Sequence, residues 1–90
     1  MQKHTKVYLE YFGFHNPDFI DCEICHNKAI DIHHIKRRSE FGIKTKDEQD
    51  KIENLIALCR KCHDMAHANI FKKEYLTEIH LKTMKMYKTD

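Results

Sequence analysis

The sequence predicts a small α+β domain stapled by a metal ion rather than by a large apolar core. Three observations carry that prediction: helical spacing at both ends of the chain, an alternating run at residues 29–35, and two Cys-x-x-Cys pairs. Ninety residues make one domain at most, and a chain of this length buries a smaller fraction of its surface than a full-sized domain does. Four Cys and eight His, with no Trp and only two Gly, point to a chemical staple. The expected organisation is a single domain over residues 1–90, with its core at about 20–72 and a flanking helix at each end.

The first element is "KHTKVYLEYFGF", where Val7, Tyr8, Tyr11 and Phe12 recur at spacings of three and four, as on one face of a short amphipathic helix. Gly13 is its expected stop, and "HNPDF" with Pro17 reads as a turn. Cys22 and Cys25 then bracket a tight knuckle, after which residues 29–35 alternate in the manner of a strand. The segment "SEFGIKTKDEQDKIE" is polar and charged, which predicts an exposed loop with a helical turn near residues 47–52. Periodicity alone leaves the apolar run Leu55–Leu58 open between strand and helix. Residues 62–72 read as a helix, with His63 and His67 four apart on one face. The Lys-rich tail places Tyr75, Leu76, Ile79, Met84 and Tyr87 at roughly helical spacing, as expected of an amphipathic helix packed on the domain.

The chain begins without an apolar signal segment, and no window approaches the apolar length of a membrane span. A reducing, cytoplasmic setting is therefore expected, in which Cys-x-x-Cys pairs more often ligate metals than form disulfides. A net charge of +2 excludes a general polycation, so any affinity for nucleic acid must come from local clusters. Two clusters are candidates: Lys36, Arg37 and Arg38, and the pair Arg60 and Lys61. Each flanks a group of potential metal ligands, where it could track a nucleic-acid backbone.

Cys22, Cys25, Cys59 and Cys62 form two knuckles, and a tetrahedral zinc ion takes four thiolates from two such pairs. A closed four-sulfur site has no open coordination position, so its expected role is structural, and four sulfurs leave no place for His26. Disulfides and a thiol redox centre are the competing uses of the four cysteines. A zinc clamp at Cys59 and Cys62 would set His63 in the first turn of a helix facing the strand. His33, His63 and His67 could then offer three imidazoles to a second metal with open positions, as in a catalytic site. On a strand, Asp31 and His33 share one face and His34 takes the other.

At these residues, "CEIC", "DIHHI" and "NLIALCRKCHDMAH", the chain resembles the HNH endonuclease family. The resemblance runs from Cys22 to about Asn69. It implies a ββα-metal (His-Me finger) core of two antiparallel strands and a helix, often braced by a four-cysteine zinc site. It also implies one catalytic divalent ion, which imidazole ligands leave open among Mg2+, Mn2+, Ni2+ and Zn2+. By position, His34 matches the general base, His33 the metal ligand beside it, and His63 a helix ligand. His67 matches a ligand found in some members, and Asn54 matches the Asn that orients the loop and holds His34. Asp31 lies two residues before His33, outside the family's ligand position, and is expected to orient His33 or His63 through the second ring nitrogen, with direct ligation the alternative.

The activity implied is metal-dependent hydrolysis of DNA phosphodiester bonds, by nicking or double-strand cutting, in a bacterial or phage-infected cell. Double-stranded DNA read with weak sequence preference is the expected substrate. A partner protein or homodimer stays open at this point. The alternative is a non-catalytic, zinc-stabilised nucleic-acid-binding module that kept the scaffold. The stretch between His34 and Asn54 is longer than a simple strand connection requires.

Overall fold

The computed structural model describes residues 2–14, 20–37 and 48–88. The turn expected around Pro17, the basic residue Arg38 and most of the charged loop lie outside these described residues. The elements run α1 (Lys3–Phe12), β1 (Asp31–His34), β2 (Leu55–Leu58), α2 (Arg60–His67) and α3 (Lys73–Lys88), with a 3-10 turn at Ile52–Asn54 leading into β2.

The two strands pair antiparallel, with Asp31 opposite Leu58, Ile32 opposite Ala57, His33 opposite Ile56 and His34 opposite Leu55. Residues directly opposite on paired strands share a face, so this register divides the sheet into two sides. Ile56 and Leu58 belong to a buried cluster with Cys22, Cys62, Ala66 and Leu76, on the side of α2 and α3. Ile32, Leu55 and Ala57 belong to another with Tyr8, Leu9, Ile20 and Ala29, on the side of α1. A strand covered on both faces reads as a continuous apolar run without alternation, which is why Leu55–Leu58 is ambiguous by periodicity and is a strand in fact. Leu55, Ile56 and Leu58 are fully buried, and each contributes roughly 1.5–3 kcal/mol through burial.

Helix boundaries follow local chemistry. Gly13, at φ 72°, ends α1 as its position predicts. The amides of Gly13 and Phe14 return to Glu10 O and Leu9 O, and this pair of bonds satisfies carbonyls the helix would otherwise leave open. The second helix differs from the expected 62–72: it starts at Arg60 and ends at His67. Cys59 Sγ accepts the Cys62 amide at 3.5 Å and caps the helix early. Asn69 adopts a left-handed backbone, φ 61°, beyond its end. Strand β1 is likewise shorter than the alternation at 29–35: before it Ala29 N–H turns away to Ile20 O, while after it Ile35 N–H still donates to Asn54 O, the residue opposite in the same register.

A buried polar network joins the terminal helices to the sheet. Glu23, one residue past the first ligand cysteine, receives Tyr8 Oη–H at 2.6 Å from α1. It also faces His80 Nδ1 of α3, 3.0 Å from both carboxylate oxygens. The other ring nitrogen of His80 meets Ile52 O at 2.6 Å, and Ala57 N–H donates to Glu23 Oε2 at 3.3 Å. Both ring nitrogens of His80 thus face oxygen atoms. Burial, with the Glu23 carboxylate adding to it, pushes the Tyr8 phenol far above its ordinary value, so it stays a donor. Among the described residues no helix is long and apolar enough to cross a membrane.

Candidate active site and metal centres

The knuckle at Cys22–Cys25 is closed by backbone bonds: Cys22 N–H donates to Asn27 O at 2.7 Å and His26 N–H to Cys22 O at 3.0 Å. His26 takes a left-handed conformation, φ 66°, to complete the turn, and its side chain is exposed. The second knuckle lies at the start of α2. A backbone bond from Glu23 N to Ala57 O brings the two together. One ligand atom from each of Cys22, Cys25, Cys59 and Cys62 lies within 4.8 Å of the others, and all four cysteines are free thiols. Cys25 Sγ and Cys59 Sγ are 3.4 Å apart. The four cysteines are thus positioned to bind a metal such as zinc. Burial pushes the Cys62 thiol well up, and hydrogen bonds from the other three sulfurs add to it. A divalent cation reverses that preference, since coordination deprotonates a thiol outright.

The second cluster joins a strand to a helix. His33 projects from β1 on the face that meets α2, while His63 and His67 sit one turn apart on α2. Their ligand nitrogens lie within 4.8 Å of one another, and His63 Nε2 and His67 Nε2 are 3.0 Å apart. Burial first, then the neighbouring His63 and His67, holds His33 down to about 4, so its ring is neutral at pH 7. His63 is also lowered, by burial and then by His67, with Asp31 pulling the other way. Neutral imidazoles offer the lone pairs that a divalent ion needs. Asp31 Oδ2 lies 3.5 Å from His63 Nδ1, on the nitrogen turned away from His67.

His34 occupies the opposite face of β1, towards α1. It borders the same cleft as His33, His63, His67 and Arg37. Its Nε2 meets Asp50 Oδ1 at 2.9 Å, and the ring of His4, from the first turn of α1, lies against it with centroids 4.4 Å apart. Asn54 sits just before β2, and its side chain bridges two segments. Its Oδ1 accepts the Lys36 amide at 2.7 Å, and its Nδ2 donates to Lys36 O at 3.1 Å and to Gln49 O at 2.9 Å. Lys36 follows His34 by two residues and Gln49 precedes Asp50 by one, so one amide spans the segments that carry both.

Of the basic residues, Arg37 borders the histidine cleft, while Lys36, Arg60 and Lys61 are exposed. Asp50 and His4 are absent from the sequence reading. Asp50 stands in a charged stretch with no periodic signal, and His4 has no spacing relation to the histidine pair. Glu23 and His80 also escaped notice. A polar residue four positions after Leu76, on the apolar side of the tail helix, was the available signal for His80.

A family model described as HNH endonuclease matches residues 22–69. Over 52 residues the chain is 40% identical to a mitochondrial DNA mismatch repair protein mutS homolog from Sarcophyton glaucum. That match covers 57% of this chain and 5% of the relative, so the chain spans a small fraction of the protein it resembles. No solved structure matches.

Proposed function

The chain belongs to the HNH endonuclease family, and from that premise we propose that it is a metal-dependent endonuclease that hydrolyses phosphodiester bonds of double-stranded DNA. The observation that carries this reading is the division of labour across β1. His33 joins His63 and His67 on one face, and His34, at the edge of the same cleft, takes the other. A divalent ion held by His33, His63 and His67 would supply Lewis-acid stabilisation of the phosphate and of the leaving 3′ oxygen. His34 is the general base: it accepts a proton from the attacking water, a task suited to an imidazole that is neutral near pH 7. Asn54 holds the backbone just beyond His34 through its paired bonds to Lys36. Asp31 Oδ2, 3.5 Å from His63 Nδ1, is placed to orient that ring and leave Nε2 as the ligand nitrogen. The four cysteines take a zinc ion whose role is structural.

Arg37 borders the cleft and Lys36, Arg60 and Lys61 are exposed, where they would be available to a phosphate backbone; contacts of that kind carry no sequence information, in keeping with weak sequence preference. The DNA mismatch repair protein among its relatives supports DNA as the substrate. The test is cleavage of supercoiled plasmid in Mg2+, Mn2+, Ni2+ or Zn2+, repeated with His34→Ala. A loss of roughly 100-fold or more is expected of a missing general base. Cleavage by the variant at the wild-type rate would remove His34 from that role. Retained DNA binding with no cleavage in any metal would establish a zinc-stabilised binding module instead.

A further inference from the structure

We propose that Asp50 is a positioning residue for His34, fixing the tautomer in which Nε2 carries the ring proton and Nδ1 carries the lone pair. The inference rests on His34 being the base and adds which of its atoms does the work. A neutral imidazole has one donor nitrogen and one acceptor nitrogen, and an ionised carboxylate can only accept. Nε2 lies 2.9 Å from Asp50 Oδ1, with the two side chains 17% and 11% exposed, so water competes little for either. The nitrogen facing the carboxylate must be the donor, which leaves Nδ1 to receive a proton.

Two further contacts hold this pair together. The ring of His4 lies against that of His34 with centroids 4.4 Å apart and planes 50° apart, so α1 limits reorientation of the ring. Asn54 bonds to Lys36 beyond His34 and to Gln49 before Asp50, and so fixes the separation of the segments that bear the two groups. In the reaction, the water O–H bond breaks as an Nδ1–H bond forms, the water oxygen bonds to phosphorus as the P–O3′ bond breaks, and the leaving 3′ oxygen takes a proton from solvent. The Nε2–H stays with its nitrogen, and the Asp50 carboxylate faces the resulting imidazolium without taking its proton. The ring then returns the Nδ1 proton to solvent.

The experiment pairs a spectrum with kinetics. Long-range 1H–15N correlation of the zinc-loaded protein, before any catalytic metal is added, is expected to show His34 protonated at Nε2 and bare at Nδ1. Asp50→Ala should mix the tautomers. It should also lower kcat for plasmid cleavage by about 10–100-fold with KM unchanged, and Asp50→Glu should recover part of the loss. A wild-type ring protonated at Nδ1 overturns the proposal without recourse to any variant. So does an Asp50→Ala protein with wild-type kcat when His34→Ala is inactive. If His34→Ala itself cleaves normally, the base assignment falls, and the tautomer spectrum still decides whether Asp50 holds the ring.

Discussion

Replacing His80 with alanine tests whether the buried Glu23–His80 pair behind the first cysteine knuckle anchors the terminal helices. The side chains of His80 and Glu23 are 0% and 3% exposed, and the ring lies 3.0 Å from both carboxylate oxygens. The substitution leaves Glu23 with Tyr8 Oη–H and Ala57 N–H alone, and removes the donor to Ile52 O. Breaking a buried pair from one side costs about 3–5 kcal/mol, because the remaining charge stays dehydrated without its partner. Against a total stability of about 5–15 kcal/mol for a small domain, that loss brings the protein close to unfolding. The assay is guanidinium unfolding followed by circular dichroism, with zinc held at one concentration so that metal linkage cancels. Glu23→Leu/His80→Leu together should cost less than His80→Ala alone, since no orphaned charge remains. A loss below about 1 kcal/mol for His80→Ala would refute the reasoning, as would a double variant weaker than the single one.

Metal analysis is expected to find about one zinc per chain, and Cys59→Ser should abolish it and unfold much of the core, as expected where metal binding and folding are coupled. Asp31→Ala should weaken divalent-ion binding by about 10–100-fold in calorimetric titration while leaving the fold intact, since it removes only the exposed carboxylate 3.5 Å from His63 Nδ1. Without an ion at the imidazoles, His33 is held near 4 when folded and returns to its ordinary value, 6.5, when unfolded. The unfolded chain therefore binds more protons across that window, so the contribution of neutral His33 is complete above pH 6.5 and declines as pH falls towards 4. His33→Asn should remove that part of the pH dependence, so in guanidinium unfolding the stability difference between the two proteins should change between pH 6.5 and 4 and stay level above pH 6.5.

The parts of the molecule legible in the sequence are those set by short-range rules. The cysteine pairs bring four sulfurs together because each knuckle fixes its own two and the strands bring the knuckles into contact. The first helix has the length its apolar spacing predicts, with Gly13 supplying the left-handed stop. What escaped depends on long-range packing. The strand at Leu55–Leu58 declares itself only once helices cover both of its faces. The start of α2 shifts to Arg60 because a ligand cysteine doubles as its cap, a role that spacing does not reveal. Glu23 and His80 are 57 residues apart in sequence, and a carboxylate beside a cysteine gives no sign that it will be buried. The contact of Asp50 with His34 crosses 16 residues of mostly charged chain for the same reason.

Cys59 and Cys62 lie in the same short segment as His63, which follows them on α2. Zinc at the thiolates, if bound as proposed, would fix the first turn of that helix, and with it the placement of an imidazole that a second ion would use. The two loading equilibria are therefore coupled, and coupling between sites is reciprocal. Whatever factor zinc adds to the affinity of the imidazole cluster, an ion at the imidazoles returns to zinc. With both ions bound as proposed, a shortage of zinc would therefore also weaken the hold of the imidazole cluster on its own metal.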